Sequence, residues 1–341
     1  MCIITIIGAG MMGSALSFPA ADNGHTVRLV GTMLDRNIIT DVRKNDFHPT
    51  LKRILPASVM YYQLEELDAA LDGAELVIGG VSSFGVDWFA NEILPQLQKR
   101  LPVLSVTKGM MNGPNGALIT YPALYASCIP DHDYCAIGGP CTSYELADRV
   151  QTHICFCGYN MPLLHKLRKL LHTSYYHISL STDVTGVECA VALKNAYALA
   201  VTLAVGMSQR VGDTLHYNSQ AALFGQSVTE MRKLLTLFDG KDDNIIYGAG
   251  DLYVTVFGGR TRFLGTLLGQ GISFEDAMKQ LPDVTLESVV IASRTSRAVR
   301  DKIKQGRASA NDFPLLLHID EIINAGAEVS VPWDLFQTEN R

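Results

Sequence analysis

The sequence predicts an α/β protein in two parts, a doubly wound, mostly parallel sheet over residues 1–182 followed by an all-helical region over residues 183–341. Three observations point there. An apolar run at residues 3–7 feeds straight into Gly8-x-Gly10-x-x-Gly13. Short runs of strand type then recur with helical stretches between them, the alternation that builds parallel sheets. Beyond Asp183 the strand patterns fade and long helical ones take over.

The first strand, residues 3–7, reads as a buried central strand. Gly8 permits the sharp turn out of it, Gly10 lets the backbone approach a pyrophosphate, and Gly13 allows close helix packing, with the helix N-terminus facing the phosphates. A helix over residues 14–22, an Asn23-Gly24 turn and a second strand at 26–30 complete a βαβ unit, the context that turns a glycine pattern into a dinucleotide-binding signal. Residues 36–62, with His48-Pro49 and Leu55-Pro56, read as loop and short helix over the mouth of the cofactor site. Further strands are expected at 76–79, 103–106, 135–137, 153–157 and 176–180. Thr185-Gly186-Val187-Glu188 looks like a capping box opening a long helix. Helices follow at about 219–237, 244–257, 262–270, 273–281, 286–305 and 311–323. The boundary falls near residue 182, with no low-complexity linker and no internal repeat.

Composition narrows the function. Hydrophobic residues are 48% and charged residues 18%, a globular balance, and the formal net charge of −6 with no basic block argues against a nucleic-acid partner. The seven cysteines sit mostly in apolar contexts and read as buried free thiols of a reducing compartment. Cys155-Phe156-Cys157 has the wrong spacing for a metal knuckle, and no cluster at ligand spacing calls for a metal. The first apolar run lacks a basic segment ahead of it and enters a glycine turn, so it is not read as a signal peptide. Residues 184–207 are long and apolar enough to span a bilayer. Glu188, Lys194 and Asn195 within them favour a buried core helix, and a cytoplasmic protein is expected.

Lys194 demands an explanation, because it lies in Val191-Ala192-Leu193-Lys194-Asn195-Ala196, midway along an apolar helix where lysine is seldom buried without a partner or a task. Desolvation favours the neutral amine, and a nearby nicotinamide charge pushes the same way, which suits a general acid for a carbonyl being reduced. The alternative is a lysine snorkelling to solvent from a helix edge. Lys108, in Thr107-Lys108-Gly109, directly follows the 103–106 strand, at the carboxyl end where ligands bind in open α/β sheets; a solvated loop lysine is the other reading. Gly248-Ala249-Gly250-Asp251-Leu252 places an acid among glycines in a helical region that propensity disfavours. Gly258-Gly259-Arg260-Thr261-Arg262 offers backbone N–H groups beside guanidinium groups that match phosphate in a bidentate manner.

Taken in order, these pieces make a pattern. The glycine motif, Ser105-Val-Thr-Lys108-Gly109, Gly138-Gly139-Pro140-Cys141, Val187-Glu188 with Ala192-Leu193-Lys194-Asn195, Asn218-Ser-Gln-Ala-Ala-Leu223, Gly248-Ala-Gly-Asp251-Leu252 and Gly258-Gly-Arg260 together resemble the NAD(P)-dependent glycerol-3-phosphate dehydrogenase family over essentially the whole chain. The resemblance implies a Rossmann domain, a helical substrate domain, NAD or NADP as cofactor, a small phosphorylated substrate, a homodimer, and reversible reduction of dihydroxyacetone phosphate to sn-glycerol 3-phosphate. It makes Lys194 the catalytic lysine and has Lys108 orient substrate and cofactor, with Asn195 and Asp251 completing the polar network. It puts Arg260 on the substrate phosphate, with Thr255, Thr261, Gly139 and Cys141 at the substrate. The cofactor contacts it implies are Gly8, Gly10, Met11, Met12, Gly13, Lys108, Ser143, Arg260 and Glu287.

Departures from the family pattern cluster around ligand contacts. Arg260-Thr261 stands where the family usually has Arg-Asn, Cys141 where the bacterial enzymes carry Ser or Thr, Met11-Met12 where an aromatic is frequent, and Glu287-Ser288 where Glu-Gly is expected. Substrate identity is therefore less secure than reaction class. A related dehydrogenase of another sugar phosphate or hydroxy acid, as in the ketopantoate-reductase and β-hydroxyacid-dehydrogenase relatives, and a nucleotide sensor without turnover are the rivals. Cofactor choice stays open: no acid ends the second strand at Val30-Gly31-Thr32, Arg36 could meet a 2′-phosphate, and Asp35 could repel one.

Overall fold

A strand covered by helices on both faces must be apolar throughout. β1 (Ile3–Ile7) meets that demand, being buried past its first residue. It pairs in parallel with β2 (Thr26–Val30) on one side and with the later strand Leu76–Gly79 on the other. The structure is a computed structural model that describes residues 1–212, 216–281 and 286–337. α1 (Met11–Asp22) joins β1 to β2, starting three residues earlier than its sequence pattern suggests because the glycine turn passes directly into it.

The chain continues through α2 (Arg36–Asn45), a small antiparallel ribbon of β3 (Phe47–His48) and β4 (Arg53–Ile54), β5 (Val59–Tyr62), α3 (Leu67–Leu71), β6 (Leu76–Gly79), α4 (Val86–Trp88) and β7 (Val103–Ser105). A hairpin of β8 (Met110–Asn112) and β9 (Leu118–Thr120) precedes α5 (Tyr121–Cys128), β10 (Tyr134–Gly138), α6 (Ser143–Ala147), β11 (Thr152–Gly158), α7 (Met161–Leu171) and β12 (Tyr176–Ser181). The main sheet has the order β12-β11-β10-β7-β6-β1-β2-β5. Only β10 and β11 pair antiparallel in it. From β5 to β10 the order is that of a doubly wound nucleotide fold, with its switch point at β1, where the chain leaves toward opposite sides. The expected loop over 36–62 is corrected here. Its last segment is β5, an edge strand paired in parallel with β2, because Val59 packs into the sheet core while Met60 and its neighbours face outward.

Two compact units divide the chain: Met1–Lys108 with Thr120–Val184, and Gly109–Ile119 with Thr185–Arg341. The second is thus not purely helical, since it takes in most of the β8–β9 hairpin. Arg294 donates to the Met110 carbonyl at 2.7 Å and the Asn112 amide donates to the Arg294 carbonyl at 2.8 Å, which ties the hairpin to a helix far along the sequence.

The helical unit is α8 (Val184–Val211), α9 (Tyr217–Leu237), α10 (Ile245–Thr255), α11 (Gly259–Gly269), α12 (Phe274–Lys279), α13 (Glu287–Lys304) and α14 (Pro314–Ala325). α8 begins at Val184, so Thr185 lies inside its first turn and the expected capping box does not form. Its most apolar window could cross a membrane by length and hydropathy, yet 94% of that window is buried in the protein. Neighbours reach its backbone closely. A Cβ at Gly248 would lie 2.5 Å from the Ala190 carbonyl, one at Gly265 2.0 Å from the Thr202 hydroxyl, and one at Gly269 2.1 Å from the Leu203 carbonyl. Gly248, which helix propensity disfavours, and Gly265 and Gly269 of α11 are what seat these helices on α8.

Candidate active site

In the sheet unit the glycine turn is built by exclusion. Gly8 adopts φ +115°, and a Cβ there would lie 2.6 Å from the Gly80 carbonyl; one at Gly13 would lie 2.0 Å from the Gly8 carbonyl. Gly10 differs, since a Cβ there meets nothing within 4 Å. The space beside it is open to a group from outside the chain. α1 starts immediately after Gly10 with no side-chain cap, so the first-turn amides around Met11 and Met12 point outward as an anion site. Beside them opens a cavity of about 290 Å³ lined by Gly8, Gly10, Thr32, Met33, Leu34, Asp35, Gly80, Val81, Ser82, Phe84, Gly85 and Trp88. Open space at Gly10, bare helix amides and a largely apolar slot fit the pyrophosphate and one end of a dinucleotide.

Arg36 does not line this cavity, and its guanidinium pairs with Glu65 at the surface. Lys108 follows β7 as expected. Its Nζ donates to the Gly139 carbonyl at 2.8 Å, and Gly139 holds φ +120° so that the turn after β10 brings that carbonyl round. Cys141 is half-buried, and Ser143 is buried as the first residue of α6.

In the helical unit Lys194 is not a snorkelling lysine. Its Nζ donates to Asp251 Oδ1 at 2.7 Å, with the two side chains 14% and 1% exposed. The pairing follows from packing: Gly248 lets α10 touch α8, and Asp251 lies one turn further along. Thr255 sends its hydroxyl back to the Asp251 carbonyl at 2.7 Å. Asn195 is 7% exposed, and its Nδ2 has no hydrogen-bond partner among the described residues. A buried amide donor without a partner costs on the order of 1–3 kcal/mol unless a ligand takes it up.

Arg260 and Thr261 lie in the first turn of α11, which starts at Gly259 and not at residue 262. Helix N–H groups and an exposed guanidinium therefore sit together, with Arg262 holding the turn by donating to the Val256 carbonyl at 2.7 Å. Glu287 opens α13. Met33, Leu34, Phe84 and Trp88 were not found from the sequence. The last two follow β6, and the carboxyl end of that strand, beside the switch point, was the signal that could have found them.

Comparison with known proteins agrees with this construction. Residues 3–163 match the N-terminal family of NAD-dependent glycerol-3-phosphate dehydrogenase and residues 183–333 match its C-terminal family. The chain is similar to an NADP(+)-dependent glycerol-3-phosphate dehydrogenase from Archaeoglobus fulgidus, 34% identical over 82% of this chain and 83% of the relative. It is also similar to a glycerol-3-phosphate dehydrogenase [NAD(P)+] from Myxococcus xanthus, 28% identical over 89% of this chain and 88% of that one. The crystal structure of a Coxiella burnetii glycerol-3-phosphate dehydrogenase shares the fold, with TM-score 0.78, 22% identity and coverage of 98% of this chain and 97% of that chain. With both of its parts matched, the chain belongs to the NAD-dependent glycerol-3-phosphate dehydrogenase family.

Proposed function

We propose that this protein reduces dihydroxyacetone phosphate reversibly to sn-glycerol 3-phosphate with NADH or NADPH. The observation that carries it is the Lys194–Asp251 pair, a nearly buried ammonium held at 2.7 Å by a buried carboxylate in a chain of this family. The bound nicotinamide supplies the hydride that reaches the substrate carbonyl carbon. Lys194 gives the proton to the oxygen as its negative charge develops, so the carbonyl becomes an alcohol with no charge left behind. Asp251 keeps the ammonium aimed, and Asn195 offers its unpartnered amide to a ligand oxygen. Lys108 orients substrate and cofactor, and the turn through Gly139 and Cys141 lines the substrate side.

Arg260, with the first-turn amides of α11, Thr255 and Thr261, holds the phosphate. The outward first-turn amides of α1, with Gly8, Gly10, Met11, Met12 and Gly13, hold the cofactor pyrophosphate, and Ser143, Arg260 and Glu287 complete the cofactor contacts. We further propose a cytoplasmic homodimer. The exposed rings of Tyr253 and Phe257, with centroids 4.9 Å apart and Tyr253 stacked edge-on against half-buried Phe224 at 6.5 Å, support a partner on the helical unit.

The test compares phosphorylated with unphosphorylated dihydroxyacetone by following loss of reduced nicotinamide absorbance. The phosphate ester is expected to react with much the larger kcat/KM. At saturating nucleotide, so that the Arg260 contact to the cofactor does not enter, Arg260→Lys keeps the charge but loses the fork, and should lower kcat/KM for the ester about tenfold while leaving the unphosphorylated ketone nearly unmoved. Equal turnover of the two ketones by the wild type would sink the phosphate assignment.

A further inference from the structure

We infer that Asp35 and His48 are positioning residues for the cofactor turn, gripping both sides of Ala9 so that the amides beyond it are aimed before a dinucleotide arrives. This rests on the dinucleotide reading of the cavity beside Gly10. Ala9, between Gly8 and Gly10, is fully buried. Its N–H donates to Asp35 Oδ2 at 3.1 Å, and its carbonyl accepts from His48 Nε2 at 2.9 Å. Neither partner belongs to the turn or to α1. Both come from the segment after β2.

Each grip is itself held. The Leu51 N–H donates to His48 Nδ1 at 3.0 Å, which fixes that nitrogen as an acceptor and puts the ring proton on Nε2, facing the Ala9 carbonyl. His48 is 0% exposed, and Ile39, Val42, Leu51 and Leu55 sink the surrounding segment into the sheet core. Asp35 Oδ2 also accepts from the Thr32 N–H at 3.0 Å and the Thr32 hydroxyl at 2.8 Å. The carboxylate is thereby turned back on the chain, although it also borders the cavity.

The consequence is preorganisation. The N–H and the carbonyl of Ala9 belong to the two peptide planes that flank it; with Asp35 holding the first, and His48 together with the Ser14 hydroxyl at 3.3 Å holding the second, neither plane is free to rotate and swing Gly10 and the start of α1 with it. Binding then need not supply the ordering. One of the two grips, His48, thus comes from the segment over 36–62, which was expected over the cofactor mouth.

His48 gives the cleaner test, because its side chain is fully buried and its bond to the glycine turn is the one to the Ala9 carbonyl. Purified full-length His48→Leu, His48→Gln, Asp35→Ala and wild type would be titrated with NADH and NADPH by fluorescence. Steady-state constants for dihydroxyacetone phosphate would be measured at saturating nucleotide. His48→Leu is expected to raise Kd for both dinucleotides about tenfold, the loss of one well-placed hydrogen bond. Its kcat and KM for dihydroxyacetone phosphate at saturation should stay within about twofold, and His48→Gln, which keeps a donor and an acceptor, should recover most of the affinity. A purely packing role would lower Tm and yield without moving the Kd of folded protein. Unchanged Kd in folded His48→Leu, or a loss confined to kcat, overturns the inference. Should that variant fail to fold, Asp35→Ala decides, with weakened binding of both dinucleotides expected and unchanged binding overturning it. If wild type binds neither NADH nor NADPH, the cofactor reading itself falls and takes this one with it.

Discussion

Under the proposed function, the two units meet their ligands by different means. The sheet unit offers backbone: a glycine turn, bare helix amides and a slot, with every close contact satisfied inside the protein. The helical unit offers side chains: an ammonium paired with a carboxylate, an unpartnered amide and an exposed guanidinium. Backbone recognition needs space, and space is secured by residues without side chains. Side-chain recognition needs charge, and charge must be held in place by packing far from it in sequence. The first kind suits a cofactor common to many reactions, the second a particular transition state.

The contrast is sharpest at Lys194. If the helical unit contributes through charge in the transition state alone, Lys194→Ala should lower kcat by about 10²- to 10⁴-fold while dinucleotide affinity stays near that of wild type. Rapid-mixing kinetics at saturating substrate, with nucleotide titration of the same sample, measures both. More than half the wild-type rate would remove Lys194 from the chemistry, and a parallel collapse of nucleotide affinity would erase the division of labour.

The same contrast governs what could be read from sequence. Gly8-x-Gly10-x-x-Gly13 is legible because steric exclusion acts between neighbours, and five of the seven expected later helices and strands of the sheet unit are not needed to see it. The strands at 26–30 and 76–79 were placed to the residue, since both lie inside the sheet, the second apolar and buried at every position and the first apolar and buried at Val27, Leu29 and Val30. β5 was missed because it is an edge strand, half exposed, and mixes Met60 and two tyrosines that give no clean alternation. The hairpin of β8 and β9 was missed for another reason: its apolar residues answer to α13, nearly two hundred positions away. In the helical unit Lys194 was visible as an oddity. Asp251 stood out as an acid among glycines, but its link to Lys194 came only through the family resemblance, because nothing local in Gly248-Ala-Gly-Asp251 says that the first glycine is there to admit the Ala190 carbonyl.

The glycines permit a smaller and more exact test. Gly13→Ala drives a Cβ to 2.0 Å from the Gly8 carbonyl, so the turn or α1 must shift. Overpacking of this sort costs about 1–3 kcal/mol and should appear as a lowered Tm with or without nucleotide. Gly10→Val meets no protein atom at its Cβ within 4 Å, so its Tm without nucleotide should match wild type while NADH and NADPH affinities fall together. Thermal scans with and without nucleotide separate the two. A Gly10→Val protein that binds normally would mean that the space at Gly10 belongs to nothing, and that the sheet unit does not use its backbone as described.

The smallest expected effect lies where the sheet unit does rely on charge, away from any ligand. Arg149 donates from Nε and Nη2 to the two oxygens of Asp22 at 2.7 and 2.8 Å, and the Tyr175 hydroxyl adds a bond at 2.7 Å, tying the end of α1 to the loop after α6. These donors, Arg149 first, hold the Asp22 carboxyl below its ordinary value of 3.8. A depressed folded-state pKa gives stability that is fully present above the unfolded value and is lost as pH falls through the folded one. The contribution should therefore be intact at neutral pH, begin to fade as pH falls past the ordinary value of 3.8, and be lost through the lower folded-state value. Arg149 is 48% exposed, so water screens the pair and about 0.5–1 kcal/mol is the scale to expect. Arg149→Ala should lower Tm slightly at pH 7, with the gap to wild type closing as the buffer is taken to pH 3 and nucleotide affinity unchanged throughout. A gap that persists unchanged in acid would show that Arg149 acts through its packing over the Phe18 ring, its guanidinium carbon 5.4 Å from the ring centroid, and not through Asp22.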